Sequence, residues 1–190
     1  MPITGKSLGD AARQFRDHLN SVLARTVTQR PLVLTVANNR AMLAFRAQGG
    51  LLDSAELKTK YGGVRLVIGH TCDAVVIDGE WRLRTIGYMY HIIPVDQNEP
   101  LLRWEYVREW PDDTARWCRH HLQGSIECRI GRYAIILNDI HLPTGWVTIE
   151  EVLRFCIVDL GVSPLAPDWH DILEKSYQQF KTTFTLPGEV

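Results

Sequence analysis

From residue 64 onward the period of the sequence changes. The runs Val64-Arg-Leu-Val-Ile68 and Ala74-Val-Val-Ile77 and the stretch from Trp81 to Ile93 are β-branched and aromatic, the composition of strands. Asp78-Gly79 separates two of them, and an Asp-Gly pair readily supplies the positive φ angles of a two-residue hairpin turn. Antiparallel pairing in the middle of the chain is therefore the constraint that the other elements must satisfy.

A second hairpin is predicted between residues 88–95 and 100–107, joined by Asp96-Gln-Asn-Glu99. With Val95 facing Pro100, one face carries Met89, His91, Ile93, Leu102, Trp104 and Tyr106, and this is the expected core face. The other carries Tyr88, Tyr90, Ile92, Arg103, Glu105 and Val107. After a turn at Pro111-Asp-Asp-Thr114, residues 116–123 read as a strand and residues 126–137 as a further hairpin around Gly131.

Helical periodicity brackets this region. Leu8, Ala11, Ala12, Phe15, Leu19, Val22 and Leu23 form a stripe with Ser7 or Asp10 as N-cap. A second helix is expected over 36–47, ending at Gly49-Gly50, and a short third one over 55–60. A helix-turn-helix DNA reader is discounted, because Lys58 and Lys60 alone would equip its recognition helix poorly. Thr148 and Glu151 spell a capping box ahead of the stripe Ile149, Val152, Leu153, Cys156, Ile157 and Leu160, with Gly161 in the C′ position. A last helix follows Asp168. The expected fold is a single α+β domain spanning 1–190. Its antiparallel meandering sheet covers about residues 62–137, flanked by N-terminal helices and two C-terminal helices; residues 1–60 form a helical annex on the 61–190 core.

Composition narrows the function. The formal charge is −1, too balanced for indiscriminate binding of nucleic acid, and apolar runs of four to six residues are far short of a membrane span. The N-terminus has no basic-then-apolar signal pattern, so a cytoplasmic protein is expected. Cys72, Cys118, Cys128 and Cys156 form no C-x-x-C pair and read as small hydrophobes. Residues 1–46 carry seven basic side chains against Asp10 and Asp17. Their surplus either meets an acidic partner or a phosphate backbone, or belongs to a solvated helix face.

Phosphate-cradling loops, zincin motifs and the hydrolase nucleophile elbow are absent, and Asp112-Asp113 reads as a solvated turn. Histidines are the informative residues. His91, His120, His121 and His141 fall between residues 91 and 141, and adjacent His120 and His121 must point to opposite faces of a strand. Two imidazoles supply a general base and a general acid at neutral pH, which is what metal-free RNA cleavage needs, together with a cation for the charge developing on phosphorus. The candidate set is His120, His121 and His141 with Arg103 as the cation, and Tyr88 and Tyr90 as platforms for stacked bases. A metal site from His120 or His121 with His141 and Asp139 is a lesser option.

The order Tyr88-Met-Tyr90, Leu102-Arg103-Trp104, His120-His121 resembles the TumE-like toxin family of toxin–antitoxin pairs, over about residues 88–160. The first 60 residues have no counterpart there, and Trp117-Cys118-Arg119 rather than a proline precedes the histidines. The resemblance implies a toxin directed at RNA or a nucleotide and paired with an antitoxin-like partner, for which the basic N-terminal helices are the expected contact. The leading expectation is a metal-independent ribonuclease-like enzyme needing no cofactor. The alternative is a non-enzymatic interaction module with structural histidines.

Overall fold

The computed structural model describes residues 3–108 and 119–184. In chain order these form β1 (Thr4–Gly5), α1 (Leu8–Thr26), β2 (Val33–Ala37), β3 (Arg40–Ala44), β4 (Ala55–Thr59), β5 (Gly62–Ile77), β6 (Glu80–Pro94), β7 (Leu102–Val107), β8 (His120–Gln123), β9 (Glu127–Ile130), β10 (Tyr133–Ile136), β11 (Leu142–Pro143), α2 (Ile149–Val158) and α3 (Trp169–Phe184). The protein is α+β. The main antiparallel sheet runs β11-β8-β7-β6-β5-β3-β2, with β1 added to β6 and β4 to β5, while β9 and β10 form a separate hairpin. The turn expected at 111–114, the first residues of the strand expected over 116–123, and Cys118 lie outside the described residues.

The Asp78-Gly79 hairpin is the spine. Both residues have positive φ (52° and 78°), and Ile77 pairs with Glu80 across them. Ile86 is an extra residue in β6, because Thr71 pairs with Gly87 and Cys72 with Thr85. Such a bulge bends the strand and increases its twist.

Two sequence expectations are corrected. Residues 36–47 are not a helix: Asn38 and Asn39 take φ of 51° and 57° and turn β2 into β3. Ala41, Leu43 and Phe45 are all fully buried, a period of two. The segment 55–60 is likewise strand β4, with Ala55, Leu57 and Thr59 inward and Glu56 and Lys58 outward. Helix-favouring residue types gave way to pairing with β5. The first 60 residues thus contribute one helix and three strands of the main sheet besides the short β1, rather than a helical annex.

The β6–β7 register is corrected as well. Tyr88 faces Tyr106 and His91 faces Arg103, one position away from a Val95–Pro100 register. A turn closed by Gln97 N–H on the Pro94 carbonyl makes the loop odd-numbered. A one-residue slip exchanges faces. Tyr88, Tyr90 and Ile92 therefore share a face with Leu102, Trp104 and Tyr106, whereas Met89 and His91 join Arg103 and Glu105 on the other.

The helices cover the tyrosine face. Leu8, Ala11, Ala12, Phe15, Leu19, Val22 and Leu23 of α1 are buried there, each large side chain contributing about 1.5–3 kcal/mol on removal from water. Ser7 accepts from Asp10 N–H as N-cap, and the Thr148–Glu151 capping box starts α2 as expected. Gly161 has φ 73° just beyond α2. The opposite face carries Met42, Gly69, Thr71, Met89, Glu105, His121 and Gln123, and this face holds the candidate site.

Candidate active site

β8 separates the adjacent histidines, because consecutive strand residues point to opposite faces. His120 enters the helix-covered side. Its ring stacks on Tyr106 at 4.2 Å with 6° between planes. Val147 N–H donates to the Tyr88 hydroxyl (3.0 Å), which is also hydrogen-bonded with His120 Nδ1 (3.1 Å). Burial, aided by the charges of Arg119 and His121, pushes His120 down to about 4, which keeps it neutral. Tyr90 is 1% exposed, bonded to His70 Nδ1 at 3.0 Å and stacked on Tyr88 at 4.8 Å. Tyr88, Tyr90 and His120 are thus packed among core side chains, on the opposite face from His121.

On the open face Glu105 stands opposite His121 in the β7–β8 ladder. The His91 Nε2–H donates to one Glu105 oxygen at 2.9 Å, and His121 Nε2 lies 3.3 Å from the other. These bonds, from His121 first and then His91, outweigh burial and hold the Glu105 carboxyl well below the usual carboxylate range; the Arg103 guanidinium adds to the effect. An ionised carboxylate only accepts, so it assigns His91 Nε2 as a donor and favours a proton on the His121 Nε2 that faces it.

β11 completes the arrangement. Leu142 and Pro143 pair with Leu122 and His121, an edge position that tolerates proline, and carry the preceding His141 alongside β8. The His121 and His141 rings lie 4.9 Å apart, 63° between planes. His121 is buried and His141 exposed. Both line a cavity of about 390 Å³, at the small end of the range for small-molecule sites (about 300–1,000 Å³). Met42, Met89 and Val107 give it an apolar side; Glu105, Thr71 and Gln123 add polar groups.

Arg103 shares this face, opposite Gln123, but does not line the cavity. Its Nη2 donates to Asn138 at 3.1 Å, and its buried Nε has no partner among the described residues. The fold therefore brings His121 and His141 together with Glu105 between His121 and His91, sets Arg103 beside them, and places His120 and Tyr90 elsewhere; Tyr88 belongs to the cavity lining, although its ring stacks on Tyr90 on the helix-covered face. Sequence reasoning passed over Glu105 and Gln123. The signal for Glu105 was His91, a strand histidine in need of a partner, which the correct register supplies in the next strand. Among the described residues, no group of three or more His, Cys, Asp or Glu side chains is arranged to hold a metal ion.

Compared with protein-family models, curated proteins and solved structures, the chain matches none.

Proposed function

We propose that this protein is a metal-independent acid–base catalyst acting on a phosphodiester in a nucleotide-sized substrate, with His121 and His141 as the exchanging pair. The observation that carries this is the 4.9 Å approach of the two imidazoles at the wall of a small-molecule-sized cavity, one of them anchored by a carboxylate. One ring takes the proton of the attacking oxygen and the other gives a proton to the leaving oxygen. Glu105 fixes the ring orientation and tautomer of His121 and stabilises the imidazolium formed during transfer. Arg103, beside the cavity rather than in its wall, adds positive charge to the site without contacting the phosphoryl oxygens.

Cavity size favours a mononucleotide or a single linkage over a longer RNA stretch, and no role as a stacking platform is included for Tyr88 and Tyr90, whose buried rings already stack on each other. Growth arrest by the protein expressed alone is the corresponding cellular activity, in line with the TumE-like resemblance. The docking-module reading has less support. Arg13, Arg16, Arg25 and Arg30 of the basic N-terminal segment already pair with Asp10, Asp17, Asp168 and Asp53.

The test is hydrolysis of bis(4-nitrophenyl) phosphate and of dinucleotides by chelator-treated protein. Wild type is expected to turn over, and His121→Ala and His141→Ala to lose about 10²–10⁴-fold while remaining folded. No turnover by wild type, or full turnover by both variants, contradicts the reading.

A further inference from the structure

We infer that Gln123 is the specificity-determining residue of this cavity and that it reads the hydrogen-bonding edge of a nucleobase. This rests on the phosphodiester reading for the other half of the ligand.

Gln123 is 5% exposed and lines the cavity; none of the hydrogen bonds among the described residues involves its amide, and neither amide atom is a fully buried orphan, so the amide keeps access to the cavity. Buried polar side chains are ordinarily satisfied, so an amide turned to a cavity is a donor–acceptor pair awaiting a ligand. A carboxamide presents N–H beside C=O, the complement of the adjacent donor and acceptor on a base edge; glutamine pairs with adenine bidentately in this manner.

The rest of the cavity suits a flat ring. Gly69 and Gly87 have no positive φ, so their backbone conformation does not demand glycine. A Cβ on Gly69 would meet Met89 Cγ at 2.8 Å and Sδ at 3.2 Å: the missing side chain lets the Met89 thioether lie flat on the sheet, with Met42 beside it. Thioether sulfur makes favourable contacts with aromatic rings. Gln123 and His121 are two apart on one strand and so project from the same face. A base with its edge at Gln123 and an attached phosphate at His121 and His141 would lie within this one cavity.

The test is titration of the full-length protein with adenosine, guanosine, cytidine and uridine by calorimetry or NMR, on wild type, Gln123→Leu and Gln123→Glu. At least one nucleoside is expected to bind wild type, at least tenfold more weakly to both variants, and with a different rank order for Gln123→Glu, whose carboxylate only accepts. For any variant that does not fold, the comparison of adenosine with purine riboside on wild type replaces it if adenosine is the ligand, and of the bound nucleoside with its edge-methylated analogue otherwise; the same tenfold gap is expected. Binding of none of the four, or binding indifferent to Gln123 and to the base edge, overturns the assignment. The two proposals fail separately: nucleoside binding without phosphodiester turnover removes the chemistry and keeps the base site, and turnover with a KM indifferent to Gln123 does the reverse.

Discussion

Glu105 faces His121 across the β7–β8 ladder, 3.3 Å from its Nε2, and holds His91 with its other oxygen at 2.9 Å. One carboxylate thus orients two imidazoles that lie far apart in sequence, and one of these, His121, meets His141.

Replacing that carboxylate should separate positioning from binding. Glu105→Gln keeps the shape but gives the site an amide that can satisfy only one donor well. The expected outcome is a fall in kcat of about 10²–10⁴-fold with little change in KM. An altered pH–rate profile should accompany it, since His121 loses the partner that sets its tautomer. The stability cost expected from denaturant titration is about 1–3 kcal/mol, for a buried donor left poorly paired. A KM effect with kcat unchanged would make Glu105 a substrate contact instead.

Acid should destabilise the fold through His70. This ring is fully buried between the Tyr90 and Thr85 hydroxyls, 3.0 Å from each, and burial pushes it down from 6.5 to about 4. The unfolded chain binds a proton as pH falls below 6.5, whereas the native chain resists until about 4. Its contribution is therefore complete above pH 6.5 and is lost on acidification toward 4, in total about 3 kcal/mol. Chemical denaturation at pH 7 and at pH 4 should show this loss, with a shallower pH dependence in His70→Gln. Equal pH dependence in the two proteins would show that the proton goes elsewhere.

Gly124 ends the strand that carries His121 and Gln123. A Cβ there would lie 2.1 Å from the Leu101 carbonyl oxygen and 2.9 Å from its carbon, both backbone atoms that cannot rotate away. Gly124→Ala is expected to cost about 1–3 kcal/mol or more, lowering Tm by about 2–4 °C per kcal/mol in a chain of this size. An unchanged Tm would mean that β8 can shift at this end.

Residues whose local and tertiary preferences agree were legible in the sequence. Asp78-Gly79, the Thr148–Glu151 box, Gly161 and the α1 stripe each announced the element they occupy. Arg40-Ala-Met-Leu-Ala-Phe-Arg-Ala was not, since its residue types suit a helix and only the exchange of pairs with β5 makes it a strand. The site was half legible for one geometric reason. The alternation of His120 and His121 was certain in any strand, but the partners of each depended on the β6–β7 register. That register turned on the parity of one loop: the odd-numbered loop moved Tyr88 and Tyr90 away from Arg103 and brought His91 and Glu105 together. Gln123 carried no sequence signal, because a buried amide at a cavity becomes visible only once its surroundings are placed.

The most direct measurement is the pH dependence of phosphodiester turnover in chelator, from pH 4.5 to pH 9, for wild type and His141→Ala. Two exchanging imidazoles predict a bell-shaped kcat/KM in wild type and the loss of one limb in the variant. A wild-type rate that is flat across this range, or a bell unaltered in His141→Ala, would contradict the account.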